Sequence, residues 1–411
     1  MLNFSNNNVQ HEPKKIKQWT GKLEDILTYD KFFEALRKCN DDVSYKMSVQ
    51  KYDINCIGEI VKAIKYISDG NIPKVRKISP ILIYERGKQR VITPIEIHDR
   101  MIQKVLCDNA LIPALYPHLI YDNGASMQGK GTQFSRNRVH KFLEDAKRKW
   151  GFQNVYVLIY DFKSFFDSIP HQLCYDILDK YIEDKRIVNL TIGIIESYDL
   201  YKIQKIKDKK EREQAEKDLF AHKGKGLCLG SQISQIMAMA VLNDFDHYIK
   251  DVKRMKFSLR HMDDGIIFFN NKQKLVELKN ELQQYANHLG MQLSPNKTYI
   301  AKVTDGFTFL KIKYHYDEKG KTVKKLVHSN ITRERTKLKK FKDKVQSGEM
   351  SLDDVYNSMQ SWNEHSKIAN SFKTSKSMFK IYDDLYEGHR MTRKYYNNHP
   401  EIKRKRKVTR L

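Results

Sequence analysis

Three aspartates stand where apolar, strand-like runs of the sequence end. Asp161 closes the run YVLIYD, and Asp263 and Asp264 lie within the segment SLRHMDDGIIFF at 258–269. A carboxylate beside a buried strand costs free energy unless it is paired or binds a cation. Two such strands lying side by side would present carboxylates that bridge two hard divalent ions. A pair of bridged ions is what an enzyme uses to join a nucleoside triphosphate to a growing strand.

Each aspartate taken alone has a simpler interpretation. Adjacent aspartates such as Asp263 and Asp264 are common in turns, and Asp161 could cap the end of a strand. All three residues nevertheless stand where an apolar strand ends, and a glycine-containing loop that leads into a helix separates the two segments. This combination favours a paired-metal site, with two Mg²⁺ ions as the expected cofactors and Mn²⁺ as an alternative.

The composition of the chain predicts a polyanionic partner. The 411 residues include 75 Lys and Arg against 50 Asp and Glu, a formal net charge of +25. The mean hydropathy is −0.66, and no apolar run approaches the ~20 residues that cross a bilayer, so nucleic acid is favoured over a membrane. A lysine-rich soluble surface is the alternative. The five scattered cysteines lack a CxxC pair, which indicates a reducing cytoplasm rather than a zinc module or disulfide scaffold.

Hydrophobic spacing predicts a mixture of helices and strands around these motifs. A strand, a turn at Arg86-Gly87-Lys88 and a second strand precede a helix that begins near Ile97. The segment 202–223 is almost entirely charged and is interpreted as a solvated helix or insertion. The other predicted elements are a helix at 54–67, a helix from about Arg136, a strand at 155–161, a helix at 171–182, a loop and helix at 229–251, a hairpin at 258–269, a helix at 271–289, strands at 298–303 and 307–314, a hairpin turn at Lys319-Gly320-Lys321, and three helices from 331, from 352 and at 377–387.

The order of these motifs resembles the bacterial reverse transcriptases, the branch of group II introns, retrons, diversity-generating retroelements and abortive-infection proteins. The segments that carry the resemblance are RGKQRVITPIEIHDRMIQKVL, QGKGTQF, DFKSFFDSI, GLCLGSQISQ, HMDD, LSPNKTYI and GFTFLKIKY. The resemblance implies an α+β right-hand polymerase fold, with fingers, a palm of antiparallel sheet plus helices, and a helical thumb. The expected domains are an N-terminal extension and fingers at 1–150, a palm at 151–318 with the charged insertion 202–223, a three-helix thumb at 319–395 and a basic tail at 396–411.

The resemblance also implies RNA-directed DNA synthesis, in which a primer is extended with dNTPs on an RNA template. Asp161 and Asp263 would hold two metal ions with the backbone carbonyl of Phe162, Asp264 would be a weaker ligand, and Lys297 would donate a proton to pyrophosphate. The expected nucleotide-binding residues are Lys88, Arg90, Phe166, Gly230 and Gln232. The expected template and primer contacts are Ser234, Gln235, His261, Met262, Phe309, Leu310, Lys311, Arg333 and Lys337.

Several of these implied roles have structural alternatives. Lys88 and Arg90 could be a surface pair beside a hairpin turn, and Lys297 could be an ordinary exposed lysine. Phe166 could be a core phenylalanine, because Phe165 adjoins it and only one of the two rings can face the site. If Phe166 faces the site, the family pattern places its ring under the sugar of the incoming nucleotide, where it excludes a 2′-hydroxyl. Deoxynucleotides should then be preferred.

Two positions depart from the common family pattern. The loop that carries Gly230 ends in Ser234-Gln235 where Ser-Pro is usual, and Leu229 replaces a common glutamine. This ending resembles the enzymes of diversity-generating retroelements, which copy adenines inaccurately. His261 stands where tyrosine is usual, so the contact with the primer could change.

The resemblance leaves the biological role open. The Ser-Gln ending favours a diversity-generating retroelement, the compact stand-alone architecture favours antiphage defence, and the short C-terminal region disfavours an intron maturase. A dedicated noncoding RNA or an accessory protein would be a further partner. A catalytically silent RNA-binding protein is the alternative of a different class, and the intact Asp161, Asp263 and Lys297 argue against it.

Overall fold

The computed structural model describes part of the chain in full and part as backbone only. The described residues are 17–73, 81–85, 88–92, 94–204 and 224–390, with backbone alone for 81–85, 88–92 and 199–204. The basic tail 396–411, the turn residues Arg86 and Gly87, and residues 205–223 of the predicted charged insertion lie outside the described residues.

The chain divides into two compact units, each with its own packing. The first comprises Met1–Val139, Leu158–Ile267 and Gln273–Tyr299, and the second comprises His140–Val157, Phe268–Lys272 and Ile300–Leu411. The division into fingers, palm and thumb stays a prediction. Among the described residues, no helix is long and apolar enough to cross a membrane.

Most of the described residues are helical. The α-helices are α1 Leu23–Ile26, α2 Tyr29–Asn40, α3 Met47–Ile54, α4 Cys56–Ser68, α5 Ile97–Leu106, α6 Ile112–Leu115, α7 Thr132–Trp150, α8 Phe165–Ser168, α9 His171–Tyr181, α10 Lys185–Gln204, α11 Gln232–Ala240, α12 Asn243–His247, α13 Lys272–His288, α14 His328–Gln346, α15 Leu352–Ser366 and α16 Phe372–Tyr386. Short 3₁₀ or π turns lie at Cys107–Leu111, Tyr116–His118, Phe152–Asn154 and Tyr248–Val252.

Three sheets contain the strands. The strands are β1 Ile81–Glu85, β2 Lys88–Ile92, β3 Tyr156–Asp161, β4 Ser258–His261, β5 Asp264–Phe269, β6 Tyr299–Lys302, β7 Phe307–Phe309, β8 Ile312–Tyr316 and β9 Thr322–Leu326. β1 and β2 form an antiparallel hairpin, the central sheet has the order β4-β5-β3-β6, and the third sheet has the order β7-β8-β9. The predicted hairpin at 258–269 and the helix at 171–182 are confirmed to within one or two residues.

β3 is a buried central strand because its side chains are apolar on both faces. Val157, Leu158, Ile159 and Tyr160 are all buried, which is typical of a strand covered on both sides. Gly265 of the neighbouring strand β5 lies against the ring of Tyr160, and a Cβ at this position would be 1.9 Å from that ring. Only glycine therefore lets β5 approach β3 this closely.

The second unit ends in three helices that pack around one apolar cluster. Leu338, Val355, Met359, Met378 and Tyr382 form its buried centre. The predicted capping box at the start of α15 is confirmed, since the Ser351 hydroxyl accepts from the Asp354 backbone N–H and the Asp354 carboxylate accepts from the Ser351 N–H. The predicted hairpin turn at Lys319-Gly320-Lys321 is also confirmed, and Gly320 has a φ of +73° there.

Several sequence-based boundaries were wrong. The helix predicted from 331 begins at His328, and the helix predicted at 377–387 begins at Phe372. The segment 307–314 was predicted as one strand, but Leu310 and Lys311 both adopt positive φ and divide it into β7 and β8. Neither residue is glycine, so the sequence carries no turn signal at this point. The helix predicted from about Arg136 begins earlier, at Thr132, directly after Gly131.

Candidate active site

The end of β3 and the β4–β5 hairpin bring the three aspartates of the sequence motifs together. Asp161 ends β3 and is only 3% exposed. His261 pairs with Asp264 across the hairpin, so Met262 and Asp263 form a two-residue turn. β5 is the neighbour of β3 in the sheet, and the carboxyl of Asp264 is hydrogen-bonded to that of Asp161. The expected convergence of carboxylates is present in the first unit.

The turn holds Met262 in a backbone conformation that favours glycine. Its φ is +60°, and a non-glycine residue there costs on the order of 1–3 kcal/mol. Such strain persists only where the surroundings fix the backbone. The carbonyl of Met262 accepts a 2.9 Å hydrogen bond from Nη1 of Arg260, which supplies that constraint.

Arg260 is a site-supporting residue that sequence reasoning missed. It is 1% exposed, and its guanidinium donates to both carboxylate oxygens of Asp246 at 2.7–2.9 Å. Nη2 also donates to the carbonyl of Met239 at 2.8 Å. An arginine inside an apolar strand, two residues before the turn, was the available signal, because a buried guanidinium requires a partner. The ion pair connects the β4–β5 hairpin to α12, and the hydrogen bond to Met239 connects it to α11.

His261 anchors the hairpin to the start of α7. Its Nδ1 lies 2.9 Å from the hydroxyl of Ser135, which is fully buried. Burial lowers the pKa of His261, and the charges of Arg136 and Arg260 lower it further, against a backbone hydrogen bond at Gly124 that raises it. The imidazole is therefore neutral near pH 7. The ring nitrogen of His261 makes the hydrogen bond to Ser135. A tyrosine, the residue usual at this position in the family, would have to make this hydrogen bond through its hydroxyl.

Lys297 reaches Asp161 directly. Its Nζ donates to Oδ2 of Asp161 at 2.7 Å, while its side chain stays half exposed. Burial alone would lower the pKa of Lys297, but the hydrogen bond to Asp161 and the neighbouring carboxylates raise it. The ammonium thus stays charged and neutralises part of the acidic cluster.

The electrostatics of Asp264 show that the cluster lacks positive charge. Burial, together with the negative charges of Asp263 and Asp161, raises the pKa of Asp264 to about 7, although Lys297 opposes the rise. A carboxyl that resists ionisation beside two other carboxyls is the arrangement that a bound cation relieves.

The donor set suits hard divalent cations. The N–H of Lys163 donates to the carbonyl of Gln292, and the N–H of Ser294 donates to the carbonyl of Asp161. The N–H and carbonyl of Phe162, between them, therefore point away from its bridge partner Leu293. Carboxylate and carbonyl oxygens are the ligands that Mg²⁺ takes. Among the described residues, no three acidic, histidine or cysteine side chains already form a closed metal cage. Oδ2 of Asp161 accepts a hydrogen bond from Lys297 at 2.7 Å, so a cation bound to this oxygen would compete with the lysine.

Phe165 and Phe166 have different environments. Ser164 adopts a left-handed backbone at φ +46° and leads into α8. Phe165 is buried against Phe162 with ring centroids 5.5 Å apart, whereas Phe166 is partly exposed. The backbone carbonyl of Phe166 accepts from Leu227 N–H at 2.7 Å, which fixes α8 to the loop before Gly230.

The loop before α11 is shaped by buried hydrogen bonds. Gly230 has a φ of +117° and is followed by Ser231, whose hydroxyl caps α11 and donates to Gln103 Oε1 at 2.8 Å. Ser234 is 2% exposed, so its side chain supports the loop and is not presented to a strand. Gln232 is partly exposed and Gln235 is exposed. With Gly230 they line a cleft of about 240 Å³, whose other lining residues are Lys38, Cys39, Ile95, Arg100, Gln103 and Lys104.

Comparison with known proteins decides the family. A family model described as reverse transcriptase (RNA-dependent DNA polymerase) matches residues 72–314, which include the three aspartates, Lys297 and the loop before α11. The chain belongs to the reverse transcriptase family. The predicted α+β fold with antiparallel sheets and helices is confirmed for this domain. No curated protein sequence matches the chain.

Two solved telomerase structures are similar to this reverse transcriptase. An apo telomerase from Candida tropicalis truncated from its C-terminal domain has 17% sequence identity and a TM-score of 0.42, covering 63% of this chain and 58% of that chain. A telomerase from Candida albicans in complex with a TWJ fragment of telomeric RNA has 10% identity and a TM-score of 0.42, covering 64% of this chain and 46% of that chain. The chain thus spans about half the length of these telomerases.

The remaining predicted site residues lie on β2 or in the second unit. Lys88 and Arg90 both belong to β2, and their side chains are outside the described residues. In the second unit, Phe309 is buried at the end of β7, and Leu310 and Lys311 form the following turn.

The basic helix α14 also belongs to the second unit. Arg333 is exposed on this helix, and Lys337 is partly exposed and donates to Glu334 at 3.0 Å. The exposed basic side chains of α14 are available for phosphates.

Replacing Asp264 with asparagine is expected to stabilise the cation-free protein at pH 8. Asp264 has a folded-state pKa of about 7, well above its ordinary value of 3.8. Between about pH 4 and pH 7 the folded protein therefore binds more protons than the unfolded chain, and its stability falls as the pH rises. Asparagine removes this dependence, so the unfolding free energy at pH 8 should rise by about 2–4 kcal/mol.

Thermal unfolding in EDTA at pH 4.5 and pH 8 measures this effect. The Tm of the Asp264→Asn variant should exceed that of wild type at pH 8 and approach it at the lower pH. Asp305→Asn, at an exposed aspartate, is the control and should leave the Tm unchanged at both values. Equal Tm values for wild type and Asp264→Asn at pH 8 would show that the carboxylates do not repel each other.

Proposed function

We propose that this protein is an RNA-directed DNA polymerase that extends a primer on an RNA template by two-metal nucleotidyl transfer. The observation that carries the proposal is the position of buried Asp161 at the end of β3, beside the β4–β5 turn and in contact with Lys297. The match of residues 72–314 to the reverse transcriptase family supports it. Fingers at 1–150, a palm at 151–318 and a thumb at 319–395 are part of the same proposal.

The residues of the chain have distinct tasks in this reaction. Asp161 and Asp263 would hold the two Mg²⁺ ions, with the carbonyl of Phe162 and the carboxylate of Asp264 as further ligands. When bound, the ions would lower the pKa of the primer 3′-hydroxyl and neutralise the triphosphate charge. Lys297 leaves Asp161 and donates its proton to the departing pyrophosphate, for which its retained positive charge suits it.

Other side chains position the nucleotide and the template. Lys88 and Arg90 form charge-assisted hydrogen bonds with the triphosphate. Gly230, Gln232 and Gln235 face the nascent base pair from the cleft in front of α11. The basic side chains of α14, Arg333 and Lys337 among them, contact the phosphates of the template–primer duplex.

Run-off primer extension tests the proposed reaction. A labelled DNA primer is annealed to an RNA template and incubated with Mg²⁺ and either four dNTPs or four NTPs, and RNA primers are tested in parallel. Full-length products with dNTPs are expected. Extension with NTPs alone would contradict DNA synthesis and indicate an RNA polymerase.

Replacing Phe166 with alanine is expected to relax the choice of sugar. The partly exposed Phe166 ring leaves no room or partner for a 2′-hydroxyl beneath the incoming nucleotide. Its removal should lower the preference for dNTPs over NTPs roughly 10-fold or more. Single-nucleotide incorporation measures kcat/KM for both substrates. The control Phe166→Tyr keeps the bulk of the ring and should keep the preference for dNTPs over NTPs. If Phe166→Ala also kept this preference, Phe166 would not be the residue that selects the sugar.

The biological setting belongs to the same proposal. We assign the enzyme to a bacterial or phage retroelement or antiphage defence system in the cytoplasm, with a dedicated noncoding RNA or accessory protein as a further partner. All five cysteines are free thiols, in keeping with a reducing compartment. The loop ending Ser234-Gln235 favours a diversity-generating retroelement, and product sequences with errors confined to template adenines would support that assignment.

A second candidate function is RNA binding without catalysis. The exposed basic side chains of α14, such as Arg333, suit a binding protein as well as a polymerase. Such a protein would bind the template–primer duplex and yield no extension with either class of nucleotide.

A further inference from the structure

An aromatic ring flanked by cations is exposed beside the catalytic hairpin. Tyr121 is 66% exposed. Lys130 Nζ lies 5.1 Å and the Arg138 guanidinium 5.2 Å from the centre of its ring. Phe134 packs edge-on against the same ring at 5.6 Å, and Lys130 also lies over Phe134 at 5.3 Å. These four residues are called the Tyr121 surface.

The Tyr121 surface is held in place by hydrogen bonds. Lys130 Nζ donates to the backbone carbonyl of Tyr121 at 2.8 Å. The next residue, Asp122, is buried and accepts from Arg138 Nε at 2.6 Å and from Lys250 Nζ at 2.7 Å. A ring held this way loses little conformational entropy when a ligand stacks on it.

Backbone pairing connects the Tyr121 surface to the catalytic turn. Arg260 N–H donates to the carbonyl of Asp122 at 3.1 Å, and Gly124 N–H donates to the carbonyl of Arg260 at 2.9 Å. Tyr121 is thus one residue from a segment that pairs with β4, the strand leading into Met262 and Asp263.

The charge of this region selects the ligand class. Lys130, Arg138 and Lys250 surround Asp122, and Asp246, which also acts on Lys250, is paired with Arg260, so the net charge of this region is positive. Cation–π contacts within the protein are worth about 0.5–1 kcal/mol at exposed sites, which explains where the cations lie but not why the ring is exposed. An exposed aromatic beside cations is the pattern that stacks unpaired bases and attracts their phosphates.

We propose that the Tyr121 surface binds an unpaired stretch of nucleic acid next to the catalytic turn, with a base stacked on Tyr121 and its phosphate beside Lys130 and Arg138. The inference rests on the proposed function, because the strand would be the template or the primer of that reaction. Binding without catalysis tests it, so failure of polymerisation and failure of this site give different results.

The experiment compares three labelled RNA–DNA duplexes: one blunt, one with a six-nucleotide 5′ template overhang and one with a six-nucleotide 3′ primer flap. Their affinities for the full chain are measured by fluorescence anisotropy without Mg²⁺. Tyr121→Leu should weaken binding of an overhang duplex about 5- to 100-fold, while binding of the blunt duplex stays within about twofold. Weaker binding of the duplex with the 5′ overhang would assign the site to the template, and weaker binding of the duplex with the 3′ flap would assign it to the primer.

Two further variants separate stacking from loop structure. Tyr121→Phe keeps the ring and should bind all duplexes as wild type does. Tyr45→Leu replaces another exposed tyrosine, 74% exposed, and is the matched control. Unchanged overhang and flap binding by Tyr121→Leu would overturn the proposal. Equal weakening on all three duplexes would also overturn it, because the effect would not depend on unpaired bases.

Discussion

Replacing Asp263 with asparagine is expected to lower the rate of nucleotide addition by roughly 10³-fold or more. Asp263 lies in the β4–β5 turn beside Asp264, and its negative charge already raises the pKa of that neighbour. Asparagine has nearly the same shape as aspartate but lacks the negative charge that would bind the two cations. Stabilisation by bound metal ions is worth several kcal/mol, and each 1.36 kcal/mol changes the rate tenfold.

Single-turnover extension of a bound primer at saturating Mg²⁺ measures the effect. Asp263→Asn should bind the template–primer duplex within about twofold of wild type, because phosphate contacts with basic side chains supply most of this affinity. Asp305→Asn serves as the charge-matched control and should extend at the wild-type rate. Extension by Asp263→Asn at more than about a tenth of the wild-type rate would contradict the assigned role of this carboxylate.

Replacing Arg260 with methionine is expected to be the most destabilising change near the site. It leaves Asp246 charged and buried without its partner, which costs about 3–5 kcal/mol. It also removes the donor to the carbonyl of Met262, whose backbone is strained at φ +60°. Both the unfolding free energy and the rate of nucleotide addition should therefore fall.

The double variant Arg260→Met/Asp246→Leu separates these two effects. An apolar pair of similar volume leaves no buried charge, so stability should return to within about 1–2 kcal/mol of wild type. Nucleotide addition should stay reduced roughly tenfold or more, because the Met262 carbonyl still lacks its donor. Urea unfolding and single-turnover extension report the two quantities, with exposed Arg37→Met as the control. Wild-type extension by the double variant would show that Arg260 serves stability alone.

The parts of the fold that follow a local pattern were predictable from the sequence. The capping box at Ser351 and Asp354 and the glycine turn at Gly320 each depend on a few neighbouring residues, and the structure has both. The convergence of Asp161 with Asp264 was predictable because a charge at the end of a buried strand needs a partner.

The parts that depend on long-range packing were not predictable. Nothing local indicates that Arg260 pairs with Asp246, or that Ser231 donates to Gln103, 128 residues earlier. The turn at Leu310 and Lys311 uses positive φ without glycine, so packing within the sheet overrides the local preference. Ser234 was expected at the nucleic acid, but it lies on the buried side of α11, while the next residue, Gln235, lies on the exposed side.

The most direct test of the central claim is incorporation of a single deoxynucleotide opposite each of the four RNA template bases, by wild type and by Asp161→Asn. Template-directed addition that requires Mg²⁺ and occurs only with wild type is the predicted result. Binding of the RNA template with equal affinity by both proteins, without addition by either, would contradict polymerisation and identify an RNA-binding protein.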